Sequence, residues 1–232
     1  MGFLEIIFWG SFFFLFYIYW GYPFLLWFLT KITPHLPHKE NFCPDVSIIF
    51  VAYNEEKNIE RKLKNLLELD YSGKIEIIAG SDGSSDKTNE ILKKYESLGI
   101  KTFFSPERTG KVNVLKHLVT MASADFIVFC DTRQIFDKQA ITKLMADFAD
   151  PEVGCVSGEL RFYKENVNFV GEGVGAYWRY EKWIRRMESS FCSTVGATGA
   201  LYAIRKKLFV APPSDILLDD VYIPLKVVEQ GF

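Results

Sequence analysis

The sequence predicts an α/β domain with a doubly wound, mainly parallel sheet, preceded by an N-terminal transmembrane helix. Apolar runs typical of buried strands alternate along the chain with stretches of helical periodicity. A long uncharged segment lies near the start of the chain. With 232 residues, the chain is long enough for one sizeable domain and an anchor.

The uncharged segment extends from Ile6 to Thr30 and is rich in aromatic residues. A helix needs about 20 apolar residues to cross a bilayer. A secretory signal has a basic start, a shorter apolar stretch and small residues at its end, whereas this segment follows Glu5 and ends in bulky residues. We therefore predict a retained anchor. The predicted organisation is an anchor at 1–32, a linker at 33–45 and an α/β domain at 46–232.

Charges beside the anchor predict its orientation. Lys31 and Lys39 follow the uncharged segment, whereas Glu5 precedes it. Because basic flanks remain on the cytoplasmic side of a membrane, we expect a membrane protein whose α/β domain is cytoplasmic.

Composition and spacing exclude several classes of function. The formal net charge of −2 does not indicate nucleic acid binding, which usually requires a strongly basic face. The four cysteines lack the spacing of zinc ligands, so we expect reduced thiols. No G-x-G-x-x-G pattern follows the first predicted strand, which argues against a dinucleotide oxidoreductase.

The alternation of strands and helices begins at Val46–Ala52, a continuous apolar run typical of a buried parallel strand. The helix predicted next, Glu55–Leu69, has apolar residues on one face. The following predicted elements are strand Ile75–Gly80, helix Asp86–Leu98, strand Ile100–Phe104, helix Gly110–Met121 and strand Asp125–Cys130. The last ones are a helix near Lys138–Phe148, a strand near Val153–Ser157, an amphipathic helix Val174–Glu188, a strand after Ala200 and a helix Val221–Gln230. The amphipathic helix fits either a membrane surface or the face of the sheet.

Polar residues follow three of the predicted strands, where ligands bind in open α/β sheets. These segments are Tyr53-Asn54-Glu55-Glu56, Ser81-Asp82-Gly83-Ser84-Ser85-Asp86 and Asp131-Thr132-Arg133. Each has a purely structural alternative, because Asn54 and Asp86 suit helix N-caps, Gly83 suits a turn and Asp131 ends a strand. Together, however, clustered carboxylates repel one another unless a cation or ligand donors lie among them. A metal-bound diphosphate would satisfy this requirement.

The order of six short motifs resembles that of family-2 inverting glycosyltransferases with the GT-A fold. The motifs are V-A-Y-N-E-E, S-D-G-S-S-D-K-T, E-R-T-G-K, F-C-D-T-R-Q, V-G-A-T-G-A and L-D-D-V. The resemblance covers residues 46–232 and is strongest to membrane-bound members that build polysaccharides or glycolipids. It implies a uridine-diphosphate sugar donor and Mg²⁺ or Mn²⁺. Such members usually continue with a Q-x-x-R-W-like segment and further transmembrane helices, so we expect the chain to be incomplete at its C-terminus.

The resemblance also assigns donor-binding roles. It implies that Ala52, Tyr53 and Glu55 line the nucleoside pocket and that Asp82 holds the uracil or ribose. It further implies that Lys111 and Arg108 reach the nucleotide and that Asp131 is the leading acid of a D-x-D metal motif.

Arg133 stands at the third position of that motif, where many relatives have a second Asp. A guanidinium cannot bind a cation, but it can bind phosphate through two hydrogen bonds. A surface ion pair is the alternative for Arg133.

Inversion requires a general base on the acceptor hydroxyl, and a carboxylate suits that task. By resemblance to the T-E-D motif of the family, Asp220 is the predicted base and Asp219 orients the acceptor. Alternatively, the two acids only begin a helix and favour its dipole. Gly196, Thr198 and Gly199 would let the backbone approach an acceptor sugar, or they form a plain tight turn.

These predictions together indicate a transferase that moves a sugar to a lipid-linked or polysaccharide acceptor at a membrane. The alternative is a catalytically silent, membrane-anchored protein that binds nucleotide sugars, and Arg133 keeps this alternative open.

Overall fold

The computed structural model describes residues 2–34, 36–161 and 170–232. The chain divides into two compact units. One comprises Met1–Leu36 and Phe162–Thr194, and the other comprises Pro37–Arg161 and Val195–Phe232. The predicted roles of residues 1–32 as an anchor and 33–45 as a linker stay predictions.

The elements have the following bounds. The helices are α1 (Phe3–Phe16), α2 (Tyr22–Ile32), α3 (Ile59–Leu67), α4 (Thr88–Tyr95), α5 (Lys111–Met121), α6 (Ala140–Ala146), α7 (Val170–Phe191) and α8 (Asp219–Val228). The strands are β1 (Val46–Ala52), β2 (Ile75–Asp82), β3 (Lys101–Ser105), β4 (Phe126–Cys130), β5 (Cys155–Ser157) and β6 (Leu201–Arg205). Every predicted strand and helix of the α/β domain has a counterpart, and the largest differences lie at helix ends.

In the first unit, α1 and α2 are joined by a π-helical turn at Tyr17–Gly21. Pro23 has no N–H to donate to the carbonyl group one turn earlier. The helix is wider just before this proline, where the Tyr22 N–H donates to the carbonyl oxygen of Tyr17. By length and composition, the apolar helix Phe3–Ile32 is able to cross a membrane.

Helix α7 belongs to the same unit and packs against α2. Two tyrosine hydroxyls fix this packing. Tyr22 Oη donates to Glu188 Oε1 at 2.6 Å, and Tyr180 Oη donates to the carbonyl oxygen of Tyr19 at 3.0 Å. α7 contains the predicted amphipathic helix Val174–Glu188 and extends beyond it at both ends.

The second unit is built on a six-stranded sheet with the order β3-β2-β1-β4-β6-β5. β3, β2, β1 and β4 are parallel, whereas β6 runs antiparallel to both β4 and β5. The prediction of a mainly parallel sheet is therefore confirmed.

Alternating side chains of β1 enter two separate apolar cores. Val46, Ile48 and Phe50 pack on one face with residues of α3, α4 and α6. Ile49 packs on the opposite face with residues of α5 and α8. Because side chains alternate across a strand, a run that is apolar at every position indicates helices on both faces. This arrangement confirms the predicted doubly wound architecture.

The carboxyl ends of the parallel strands form one edge of the sheet, where the predicted site residues lie. Ala52 of β1 pairs with Ser81 of β2, and Asp131 directly follows β4. β2 extends two residues beyond the predicted end at Gly80, because β3 continues to pair with it as far as Asp82.

Candidate functional site

Lys111 connects two carboxylates at the carboxyl edge of the sheet. Its ammonium group lies 3.1 Å from Asp219 Oδ1 and 3.4 Å from Asp131 Oδ1. Three elements supply these groups: Lys111 begins α5, Asp131 follows β4 and Asp219 begins α8. The structure thus brings together residues that are far apart in the sequence and were predicted to share one site.

The two carboxylates keep Lys111 charged. Burial lowers the pKa of Lys111, but the charges of Asp219 and Asp131 outweigh burial, so the net pKa of this ammonium group is raised. Asp219 is buried, whereas the side chain of Asp131 is 40% exposed. Lys111 and the two carboxylates together have a formal charge of −1, so a phosphate group is favoured here when a further cation accompanies it.

The loops after β1 and β2 are tied together by Asn54. Its backbone has a φ of 52°, in the left-handed region that Asn tolerates better than most residues. The N–H of Asn54 donates to Ser84 Oγ at 3.1 Å, and Asn54 Oδ1 accepts from the N–H of Ser85 at 2.9 Å. Helix α3 begins at Ile59 rather than at the predicted Glu55, and the Glu55 N–H donates to Thr88 Oγ1 across this junction.

Asp82 fixes the turn that leads to Lys111. Its buried carboxylate accepts hydrogen bonds from the N–H groups of Thr109 at 2.7 Å and Gly110 at 3.0 Å. Gly110 has a φ of 96°, which favours glycine. A side chain at Gly83 would lie 2.4 Å from the Arg108 backbone nitrogen, so the two loops are in close contact. Asp82 therefore positions Lys111, and its predicted contact with uracil or ribose stays a prediction.

Arg108 and Tyr53 form a stacked pair at the surface. The guanidinium carbon lies 4.2 Å from the centre of the Tyr53 ring, and both side chains are exposed. A cation over an aromatic face is attracted by the ring quadrupole. Ala52, which precedes Tyr53, is buried at the end of β1.

Arg133 forms the surface ion pair that was one of its two alternatives. Its Nε lies 2.7 Å from Glu55 Oε1, and Asn58 Nδ2 donates to the other carboxylate oxygen of Glu55 at 2.7 Å. The side chain of Arg133 is 72% exposed, whereas that of Glu55 is 11% exposed. The guanidinium of Arg133 is thus held from below by a largely buried carboxylate, and its exposed side retains donors for a ligand.

Asp219 and Asp220 lie in the first turn of α8, where negative charge is favoured by the helix dipole. They face different surroundings. Asp219 points to Lys111, whereas the Asp220 carboxylate touches Gly199, where an added Cβ would lie 2.7 Å from Asp220 Oδ2. The carbonyl oxygen of Asp220 also accepts from the Ala197 N–H at 2.9 Å.

The loop 196–200 is held from two sides. Thr198 N–H donates to Ser157 Oγ at 2.9 Å, and an added Cβ at Gly196 would meet Val221 of α8 at 3.2 Å. The glycines therefore allow the loop to pack closely against the start of α8. Their predicted contact with an acceptor stays a prediction.

The donor set at this edge fits a divalent cation only if a ligand completes its coordination. Among the described residues there is no group of three acid, His or Cys side chains that could hold a metal ion. Asp131 nevertheless has an accessible carboxylate. Mg²⁺ is commonly bound by one or two carboxylates together with substrate phosphates. The site thus suits a cation shared with a diphosphate.

Sequence reasoning missed Lys62, whose side chain is fully buried in α3. Its Nζ donates to the carbonyl oxygen of Gln134 at 2.9 Å and lies 3.6 Å from the centre of the Phe136 ring. Burial lowers the pKa of Lys62, opposed by the nearby Cys130 and Asp131. Lys62 follows Ile59 by three residues, so both lie on one face of the helix. This spacing could have indicated that Lys62 is buried. Lys62 holds the segment that follows Asp131.

Comparison with known proteins gives a family match. The family model described as "Glycosyl transferase family 2" matches residues 47–210. A curated relative is the poly-beta-1,6-N-acetyl-D-glucosamine synthase of Staphylococcus aureus strain COL, 28% identical over 193 residues, which are 81% of this chain and 46% of the relative. The synthase of that name from Staphylococcus epidermidis is 32% identical over 118 residues, which are 50% of this chain and 28% of the relative. The chain thus spans about half the length of the Staphylococcus aureus relative, or less in the second case.

Solved structures show the same fold. The mannosyltransferase PcManGT from Pyrobaculum calidifontis, in complex with GDP-Man and Mn²⁺, superposes with a TM-score of 0.78 at 24% identity, covering 93% of this chain and 62% of that one. Staphylococcus aureus TarS 1-349 has a TM-score of 0.55 at 20% identity, covering 79% of this chain and 55% of that one. At such identities the likeness concerns the fold, and it confirms the predicted GT-A architecture.

Proposed function

Because the chain belongs to glycosyl transferase family 2, we propose that it transfers a sugar from a nucleotide-sugar donor to a glycan or lipid-linked acceptor at a membrane. The observation that carries the proposal is the contact of Lys111 with Asp131 and Asp219 at the carboxyl ends of parallel strands. A diphosphate requires cations at such an edge, and an acceptor requires a carboxylate close by.

The donor lies across the loops after β1, β2 and β4. Ala52, Tyr53 and Glu55 line the nucleoside pocket, and the Arg108–Tyr53 pair supplies both a cation and a flat aromatic surface. Asp82 lies beside the uracil or ribose and fixes the turn at Gly110. The order of the sequence motifs implies a uridine-diphosphate sugar, and the similarity to poly-N-acetylglucosamine synthases makes N-acetylglucosamine the first sugar to test.

The diphosphate contacts Lys111 and Arg133. Carboxylates hold both side chains at this edge of the sheet, Lys111 by Asp131 and Asp219 and Arg133 by Glu55, and the side chains turn from them to the diphosphate when the donor binds. Asp131 would be the protein ligand for Mg²⁺ or Mn²⁺. A bound divalent cation would neutralise charge on the leaving diphosphate. The positive charge of Lys111 would stabilise the same negative charge on the leaving diphosphate.

Asp220 is the general base in this proposal. It takes the proton from the acceptor hydroxyl as that oxygen attacks the anomeric carbon from the face opposite the diphosphate, which inverts the configuration. Asp219 orients the acceptor and shares Lys111 with Asp131. The contact of Asp220 with Gly199 supports a base whose position is set by the loop 196–200, where Gly196, Thr198 and Gly199 face the acceptor.

The first unit is the part of the chain that lies in the membrane in this proposal. The apolar helix Phe3–Ile32 anchors the chain, and the second unit lies in the cytoplasm, where the basic residues Lys31 and Lys39 are expected. This location gives the site access both to soluble nucleotide sugars and to acceptors at the membrane surface.

A donor panel tests the proposed activity. Membranes containing the full-length gene product are mixed with uridine- and guanosine-diphosphate sugars, and nucleotide release is measured with Mg²⁺, with Mn²⁺ and with a chelator. The proposal predicts release from one donor that exceeds the others and depends on the cation. Binding of the nucleotide without release from any donor would favour the catalytically silent binding protein instead.

A further inference from the structure

One buried hydroxyl group of the second unit, that of Tyr202, has no part in the proposed function. Tyr202 lies in β6, where its ring stacks on that of Phe129 at a centroid distance of 4.9 Å. The residue is 1% exposed, and within the described part of the chain its hydroxyl has no hydrogen-bond partner. An unpaired buried hydroxyl destabilises a fold, and Phe would fill the same space without that cost.

Tyr202 lies on the face of the sheet that α8 covers. Asp219, Ile223 and Val227 recur at intervals of four residues on the buried face of α8. Tyr202 packs in the same apolar core as Ile223 and Val227. Its strand neighbour Phe129 precedes Asp131 by two residues.

Charge and burial keep the hydroxyl protonated. Burial raises the pKa of Tyr202 well above its usual value, and the Asp219 carboxylate is the strongest of the charges that raise it further, ahead of Cys155, Asp220 and Asp131. The Tyr202 hydroxyl is therefore protonated at neutral pH and is available as a hydrogen-bond donor.

Asp219 already has one partner, and that partner is mobile in the proposed reaction. Lys111 lies 3.1 Å from Asp219 Oδ1, but its ammonium group is also the cation that a diphosphate attracts. When Lys111 turns to the phosphates, Asp219 becomes a buried carboxylate without a cation, which is unfavourable unless another donor replaces Lys111.

We propose that Tyr202 is a positioning residue for the acid pair: its hydroxyl donates to Asp219 when Lys111 turns to the donor phosphates, and it thereby keeps Asp219 and the adjacent Asp220 in place. The inference rests on the proposed function. It gives the buried hydroxyl, which has no partner within the described residues, an acceptor once Lys111 leaves Asp219.

Tyr202→Phe tests the inference, with Tyr71→Phe as the matched control. The Tyr71 hydroxyl has a partner, the carbonyl oxygen of Pro44, and lies near the amino end of β1, away from the site. For the wild-type protein and both variants, kcat, KM for the donor and Tm are measured on the full-length protein in detergent. Tyr202→Phe is expected to lower kcat about tenfold or more, with KM unchanged and Tm equal or higher. Tyr71→Phe is expected to lower Tm and to leave kcat unchanged.

Two results would overturn the inference. A wild-type kcat in Tyr202→Phe would show that the hydroxyl has no part in turnover. A fall in kcat accompanied by a fall in Tm like that of Tyr71→Phe would show a purely structural role. Failure of the proposed function itself looks different, because the wild-type protein would then release no nucleotide from any donor, which would overturn both.

Discussion

Gly199→Ala displaces the proposed base without removing it. An added Cβ at Gly199 would lie 2.7 Å from Asp220 Oδ2, whereas an ordinary contact is at least 3.4 Å. The carboxylate must therefore move by about 0.7 Å, and a misplacement of about 1 Å at a reacting group can lower a rate about 100-fold. We expect kcat to fall roughly 30-fold, which corresponds to about 2 kcal/mol in the activation free energy.

The fold should tolerate this substitution. The backbone of Gly199 lies outside the left-handed region, so Ala can adopt its conformation. The atom that it meets is the end of a side chain that can rotate. Since Ala at a compatible glycine position stabilises a protein by about 0.4–1 kcal/mol through the unfolded state, we expect Tm to change little.

The assay is the initial rate of nucleotide release at saturating donor, measured in two backgrounds. In the wild-type background, Gly199→Ala should slow the reaction. In an Asp220→Asn background it should add little, because the base is already lost and effects on one group are not additive. A wild-type rate for Gly199→Ala, or an equal further loss in the Asp220→Asn background, would refute the assignment of Asp220.

Three further predictions concern charge and packing. Lys111→Met should weaken the binding of uridine diphosphate about tenfold or more, because a charge-assisted contact is lost; calorimetry that finds unchanged affinity would contradict the role of Lys111. Glu76→Gln should destabilise the fold by about 2 kcal/mol at neutral pH. Burial alone would raise the pKa of Glu76, but bonds from Lys101, Ser123 and Ser47 lower it from 4.5 to about 2. An acid whose pKa is lowered by folding stabilises the fold fully at pH values above its pKa in the unfolded chain. Urea titrations should therefore show a difference in unfolding free energy between wild type and Glu76→Gln above pH 5, and this difference should disappear toward pH 2. A difference that does not change with pH would count against the ion pair. Gly80→Ala should lower the free energy of unfolding by about 1–3 kcal/mol. Its Cβ would lie 2.5 Å from Val114 Cγ1 in the core between β2 and α5. An unchanged urea midpoint of unfolding would contradict this prediction and show that α5 can shift.

The fold could be predicted because its strands have a strong and simple pattern. Val46–Ala52 is apolar at nearly every position, and such a run is typical of a strand that is covered on both faces. Helix ends were predicted less well. The segment before α3 bonds to a distant part of the chain, since Glu55 contacts Thr88, 33 positions later, and local periodicity carries no information on such a contact.

That the residues of the candidate site lie close together could be predicted, but not which bonds they form. Strand ends and motif order placed Lys111, Asp131 and Asp219 in one site, and the structure shows how a single ammonium group joins the two carboxylates. Sequence alone left two alternatives for Arg133, and the contact with Glu55 could be found only in three dimensions. Tyr202 was missed because it reads as an ordinary apolar strand residue until the partners of its hydroxyl are examined.

The most direct test of the proposed mechanism is sugar transfer by Asp220→Asn compared with Asp215→Asn. Asp215 is an exposed acid five positions earlier in the chain and serves as the matched control. Incorporation of radiolabelled sugar into membrane acceptors is measured for both variants, alongside their affinity for uridine diphosphate. We predict that Asp220→Asn loses transfer by about 100-fold or more while it binds the nucleotide normally, and that Asp215→Asn transfers at the wild-type rate. Transfer by Asp220→Asn at the wild-type rate would contradict the central claim that this carboxylate activates the acceptor.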